Sequence, residues 1–157
     1  MPIYDLDAMM NHSHEGETPI FSATIPGIID EDKIMSSKNT LSNSVSIYVY
    51  NGEGMFIPHF HFICKNPKID CCIMLMDNRY FTHGPHKDII SDGKTRKNLE
   101  KWLNGRCENF DTPDLRLNGM LTWSAMVKCW NSGNGTNYPY DESIKSNLDY
   151  SHIKPYK

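Results

Sequence analysis

Alternating apolar and polar side chains in the middle of the chain predict a series of β-strands. The run 45–50 places three aliphatic side chains on one face and Ser46, Tyr48 and Tyr50 on the other, which is the pattern of a half-buried strand. The run 70–77 is apolar on both faces, as expected of a central strand. Strands are predicted at residues 20–25, 45–50, 55–64, 70–77 and 80–83, with turn-forming residues between them.

Two later segments show the three- and four-residue spacing of amphipathic helices. In residues 94–104, Leu99 and Leu103 fall on one face, and either Asp92 or Thr95 is available as the N-cap. The second helix, at residues 118–131, carries the apolar stripe Met120, Trp123, Val127 and Trp130 and has Gly133 available to stop it. A stripe of this kind is typical of a helix that faces a core.

Together the two patterns predict an α+β fold, an antiparallel sheet of four or five strands with two amphipathic helices packed on one face. The length of 157 residues fits one domain. Residues 1–18 lack periodicity and are predicted to be a flexible arm. Residues 19–131 are predicted to be the single α+β domain, and residues 132–157, which are rich in turn formers and aromatics, a tail that wraps its surface.

The composition is that of an ordinary globular protein, with 39% hydrophobic and 22% charged residues. We expect no membrane partner, because no run approaches the roughly 18 apolar residues that a membrane span requires. The N-terminal residues lack the features of a signal peptide, so we expect a cytoplasmic location, in the host cytoplasm if a phage encodes the chain.

The cysteines do not form a disulfide pattern. Their number is odd and their spacing irregular, at positions Cys64, Cys71, Cys72, Cys107 and Cys129. In a strand, the adjacent Cys71 and Cys72 point to opposite faces, so the two together cannot chelate one ion.

The sequence Pro58-His59-Phe60-His61 is the main candidate for chemistry. In a strand His59 and His61 share a face, and such a pair of imidazoles is a chelating unit of the kind found in zinc sites. A third ligand is predicted from His83 or His86, with zinc or another divalent metal as the cofactor. The competing hypothesis is that the histidines only form hydrogen bonds with neighbouring backbone and loop groups. Because Pro58 suggests a sheet edge or a bulge, the histidine face is also expected to be reachable from solvent.

Several enzyme classes lack their motifs here. The chain has no P-loop, G-x-S-x-G or H-E-x-x-H sequence, and neither His-x-His pair has the Ser or Thr of the two-histidine phosphoesterases. In cupins a glutamate follows His-x-His after a few residues, but the corresponding residues 63–66 of this chain include no glutamate. Cys64 and Cys107 have no flanking signature of a catalytic nucleophile.

Several short segments resemble small uncharacterised bacterial and phage domains built on a Pro-His-x-His strand, some of which lie beside toxin–antitoxin genes. The matching segments are residues 57–62, the apolar strand after them, residues 80–84, the helix end at residues 99–103, and Trp123 with Trp130-Asn131. The resemblance covers about residues 45–131. It implies a fold and a mobile-element context more than an activity.

The leading functional hypothesis is a small non-enzymatic binding protein from a phage or mobile element that acts by occupying a macromolecular partner, a protein or a ribonucleoprotein. An inhibitor of a host defence effector is one form. The motivation is the incomplete catalytic set, the net charge of -3 and a tail rich in Tyr and Pro. The alternative is a metal-dependent hydrolase with its ion on His59 and His61 and one position left for an activating water.

A further alternative is nucleic-acid binding through residues 87–106. The candidate contacts are Lys94, Arg96, Lys97, Lys101 and Arg106. Against it, the charges alternate in sign, as on a solvated helix face, and the net charge is negative. Phosphate contacts would make binding fall steeply with salt, and an absence of binding at low salt would remove the hypothesis.

Overall fold

The computed structural model describes residues 19–29, 44–53, 56–76, 79–81, 84–108, 110–111, 115–143 and 154–155. Its strands are β1 (Pro19–Ile25), β2 (Val45–Tyr50), β3 (His59–Lys65), β4 (Lys68–Met74), β5 (Arg79–Tyr80) and β6 (Lys154–Pro155). They lie in this order in one sheet. Strands β1 to β5 are antiparallel to their neighbours, and β6 adds to β5 in parallel.

The two helices are α1 (Gly93–Leu103) and α2 (Thr122–Asn134). Helix α2 packs against β1 and β2, and α1 packs against α2. The predicted α+β architecture, an antiparallel sheet with two helices, is therefore confirmed. The two-residue β6 was not predicted, because two residues that include a proline carry no strand periodicity. The proposed arm, residues 1–18, lies outside the described residues.

The turn between β3 and β4 sets the register in which these two strands pair. Lys65 pairs with Lys68 across this turn, and the pairing continues so that His61 lies opposite Cys72 and His59 lies opposite Met74. Paired residues of an antiparallel ladder project to the same face, so these four side chains share one face of the sheet. The opposite face carries the fully buried side chains of Val45, Ile47, Phe60, Phe62, Cys71 and Ile73.

The start of α1 and the end of α2 each have an identifiable cause. Asp92, not Thr95, is the N-cap of α1, since its carboxylate accepts a hydrogen bond from the Thr95 backbone N–H at 2.9 Å. Helix α2 continues past Gly133 and stops at Gly135, whose φ of 63° is the left-handed conformation that ends helices. The prediction that Gly133 stops α2 is therefore wrong.

Gly133 has a different role, because it lies at a close approach between α2 and the sheet. A Cβ atom at this position would lie 3.0 Å from Asn51 Cβ and 3.1 Å from Ile20 Cδ1. The Gly133 carbonyl also accepts a hydrogen bond from the Gly52 N–H at 3.4 Å. The small residue thus lets the last turn of α2 sit directly against the segment that follows β2.

The five cysteines are all free and buried. In the part of the chain that the structure describes, no helix is both long and apolar enough to span a bilayer.

Candidate metal site

Two histidines and one cysteine converge on the face shared by β3 and β4. His59 and His61 are two residues apart on β3, and Cys72 lies directly across from His61 on β4. One donor atom from each of the three residues can be chosen so that all lie within 4.8 Å of one another. The three residues are 0%, 1% and 1% exposed. Imidazole nitrogen and thiolate sulfur are the donors that zinc and related metals prefer, so this group could hold a metal ion.

The His59 ring is held in one orientation. Its Nδ1 lies 2.7 Å from the Ile57 carbonyl oxygen, which can only accept, so Nδ1 carries the proton. In the neutral ring this leaves Nε2 with the lone pair that a metal uses, and a backbone carbonyl on the far nitrogen is a common support for a ligating histidine. The rings of Phe81 and Trp130 pack on His59 at centroid distances of 4.6 and 5.1 Å.

The Cys72 sulfur is close to both nitrogens of His61. Its Sγ lies 3.3 Å from Nδ1 and 3.8 Å from Nε2. Burial, followed by the charges of Cys71 and Glu53, raises the pKa of the Cys72 thiol well above its ordinary value. A thiol protonated at neutral pH is a poor nucleophile, so the pair does not support cysteine catalysis. Binding to a metal would deprotonate the same thiol.

A carboxylate that the sequence interpretation overlooked lies beside the histidines. Glu53, in the connection between β2 and β3, is 0% exposed. Its Oε2 lies 3.5 Å from His59 Nε2, and its Oε1 lies 3.9 Å from His61 Nε2. The Glu53 backbone N–H donates to the side chain of Asn134, whose amide nitrogen donates to the Tyr50 carbonyl at 3.1 Å. The last turn of α2 therefore holds Glu53 in position.

His86, one of the two predicted third ligands, is next to this group but faces a different partner. Its Nδ1 lies 2.6 Å from Asp70 Oδ1. Its ring packs edge-on against His61, with centroids 4.6 Å apart and planes at 87°. The structure thus brings His86 against His61 without adding it to the group of His59, His61 and Cys72. The other predicted ligand, His83, lies outside the described residues.

The expectation that solvent reaches the histidine face is wrong. His59 and His61 are essentially inaccessible, because Phe56 and Phe81 pack against His59 and Tyr50 packs against His61. The hydrogen bond from His59 to Ile57 is a contact of the kind that the competing, metal-free hypothesis predicted. The hydrogen bond between Cys72 Sγ and His61 Nδ1 at 3.3 Å is a second contact of that kind. The carboxylate of Glu53 beside both rings is the further feature that a metal site would use.

The nucleic-acid candidates divide into two groups. Lys94, Lys97 and Lys101 form one exposed row along α1. The two arginines instead make internal contacts: Arg96 Nη1 donates to the carbonyls of residues 90 and 91, and Arg106 Nη1 donates to both carboxylate oxygens of Glu142 at 2.8 Å. Nucleic-acid binding through the lysine row stays a prediction.

Comparison of the chain with protein-family models, with curated proteins and with solved structures gives no match. The resemblance to Pro-His-x-His domains therefore stays a prediction.

Proposed function

We propose that the protein binds a single divalent transition-metal ion, zinc before others, through His59, His61 and Cys72. The observation that carries the proposal is the convergence of three buried donor atoms within 4.8 Å. Zinc is favoured because it combines thiolate and imidazole ligands and prefers tetrahedral geometry, whereas calcium and magnesium take oxygen donors.

The packing around the donors also supports the proposal. All three ligands project from two paired strands in the centre of the sheet, so their backbone positions are fixed by the β-ladder rather than by a loop. Ligand sets built on such elements are held more closely to a productive geometry than sets built on loops. A buried site of this kind adds stability when it is filled, because the ion binds the folded chain and not an unfolded one.

Metal analysis of protein purified without a histidine tag tests the proposal. We expect close to one zinc ion per chain in the wild type and less than about a tenth of that in Cys72→Ser, because the thiolate is the softest of the three donors. Cys71→Ser is the matched control, since Cys71 is an equally buried neighbour on the opposite face of the sheet. Metal-free wild-type protein that takes up no added zinc would refute the proposal.

A second candidate function is occupation of a macromolecular partner, such as an effector of host defence. One surface feature favours it. Ile89 is 56% exposed at the rim of a cleft of about 710 Å³ that is lined in part by Ile29, Ile69 and Ile90. An exposed isoleucine beside a cleft with a mixed polar and apolar lining is the kind of feature that protein interfaces bury.

This role predicts that Ile89→Asp weakens capture of a specific protein from the native host at least tenfold, since an interface centre tolerates charge poorly. Tyr140→Asp, which alters another exposed apolar residue at 39% exposure, is the control. Equal capture by Ile89→Asp and the wild type would exclude this surface.

A further inference from the structure

We propose that Glu53 is the fourth ligand of the metal, so that the ion is held in a closed centre of two imidazoles, one thiolate and one carboxylate. This inference rests on the proposed metal-binding function and deepens it. It decides what kind of metal site the protein has, because zinc sites with four protein ligands are structural, whereas catalytic sites keep one position for water or substrate.

The Glu53 carboxylate lies at about ligand-to-ligand distance from the two histidines. Donors about 2.0–2.3 Å from a tetrahedral zinc ion lie about 3.3–3.8 Å from one another. Glu53 Oε2 is 3.5 Å from His59 Nε2, and Glu53 Oε1 is 3.9 Å from His61 Nε2. Cys72 Sγ is 3.8 Å from the same His61 nitrogen. The separations of Glu53 from the two histidines lie within or just beyond this range and are longer than charge-assisted hydrogen bonds of about 2.7–2.9 Å. Glu53 is not among the three donors that all lie within 4.8 Å of one another, so its carboxylate would turn towards Cys72 when the ion binds.

The orientation of the rings agrees with this arrangement. His59 directs Nε2 towards Glu53 because its Nδ1 is bonded to the Ile57 carbonyl. His61 presents Nε2 to Glu53, whereas the Cys72 sulfur lies 3.3 Å from Nδ1 of the same ring and 3.8 Å from Nε2. Each imidazole therefore turns the same nitrogen, Nε2, towards the carboxylate, which places Glu53 on the side of the site where an ion would sit.

Charge balance gives an independent reason. A divalent ion between these donors would carry one thiolate and one carboxylate, and the two neutral imidazoles would add no charge. The filled site is then electrically neutral, which suits a position at which His59, His61, Cys72 and Glu53 are all at most 1% exposed. With a water in place of Glu53 as ligand, the carboxylate would remain as an additional buried charge.

The scaffold around Glu53 holds its backbone in place. Its N–H donates to Asn134, its carbonyl accepts from the Phe56 N–H at 2.9 Å, and the neighbouring Gly52 is bonded to the Gly133 carbonyl. These contacts tie the segment to the end of α2 before any ion binds. A ligand that is preorganised in this way loses little conformational entropy when the metal arrives.

The alternative role for Glu53 is that of a general base beside a metal-bound water, as in a hydrolase. The two roles differ in whether an outside ligand can reach the metal. A closed centre excludes small anions, whereas an open centre lets azide replace the water. Cobalt(II) in place of zinc reports the difference, because its visible absorption is intense in four-coordinate sites and changes when a ligand is exchanged.

In the experiment, metal-free full-length protein is loaded with cobalt(II) and titrated with azide. We expect an intense four-coordinate spectrum in the wild type with no response to azide. In Glu53→Gln, we expect an azide-dependent spectrum and a zinc affinity lower by more than about 100-fold, which is beyond the 10- to 100-fold typical of lost supporting contacts. Glu108→Gln, a change at an exposed carboxylate, should match the wild type.

Each outcome bears on a specific claim. A wild-type cobalt spectrum that shifts with azide, or a Glu53→Gln spectrum identical to that of the wild type, would overturn the role of Glu53 while leaving the proposed metal site intact. Failure of the wild type to bind either cobalt or zinc would instead remove the proposed function. Because the azide titration of the wild type needs no variant, the inference remains testable even if Glu53→Gln does not fold.

Discussion

Removal of the metal by a chelator is expected to lower the thermal unfolding midpoint of the protein by about 8–16 °C. An ion present at 1,000 times its dissociation constant stabilises the folded state by about 4 kcal/mol. For a chain of this length, each kcal/mol corresponds to roughly 2–4 °C. The measurement is a melting curve by circular dichroism of the wild type before and after dialysis against a chelator, and after zinc is added back.

The same chelator treatment should leave the melting curve of His59→Ala unchanged, because this variant lacks a ligand and has no ion to lose. Restoration of the wild-type midpoint by zinc but not by magnesium would tie the effect to imidazole and thiolate donors. A zinc-loaded wild type whose midpoint does not move on chelation would show that the site contributes nothing to the fold.

The strand pattern of the sequence predicts the antiparallel strands β1 to β5 but not β6, because residue alternation depends only on local geometry and β6 is too short to show it. The histidine pair was predictable for the same reason, since residues two apart on a strand must share a face. Cys72 was within reach of the same reasoning. Once the turn is centred on residues 66–67, counting from the pair of Lys65 and Lys68 places Cys72 opposite His61.

Glu53 was not predictable from local pattern. It lies in an irregular connection, and its position depends on Asn134, which is 81 residues further along the chain. The end of α2 was misjudged for a related reason. Glycine is a residue type that often ends helices, but Gly133 instead allows a close approach to Ile20 and Asn51. That contact is visible only in the folded chain. Long-range contacts, rather than propensities, decide both features.

The site and the hypothesis of a non-enzymatic binding protein are compatible. A closed metal centre beneath Phe56 and Phe81 would stabilise the sheet and perform no chemistry, which leaves function to the surface. The hydrolase hypothesis requires the opposite, an ion with an exchangeable position near a cleft. The cleft at Ile89 is lined by the segment from Lys87 to Gly93 rather than by His59 or His61. The azide titration therefore tests which of the two roles the metal has.

Trp130→Ala is expected to lower both the stability of the fold and the affinity for zinc. Trp130 is completely buried in α2, and its ring lies 5.1 Å from that of His59. Truncation of a buried tryptophan costs about 3–5 kcal/mol, and the cavity would also leave the His59 ring loosely held. We expect zinc affinity to fall at least tenfold, on the scale of lost supporting contacts.

Trp123→Ala is the matched control, since Trp123 is equally buried on the same helix. Urea denaturation should show similar losses of stability in the two variants. Zinc competition should show a larger loss of zinc affinity in Trp130→Ala than in Trp123→Ala. Equal losses of affinity would mean that Trp130 acts only through the general stability of the core.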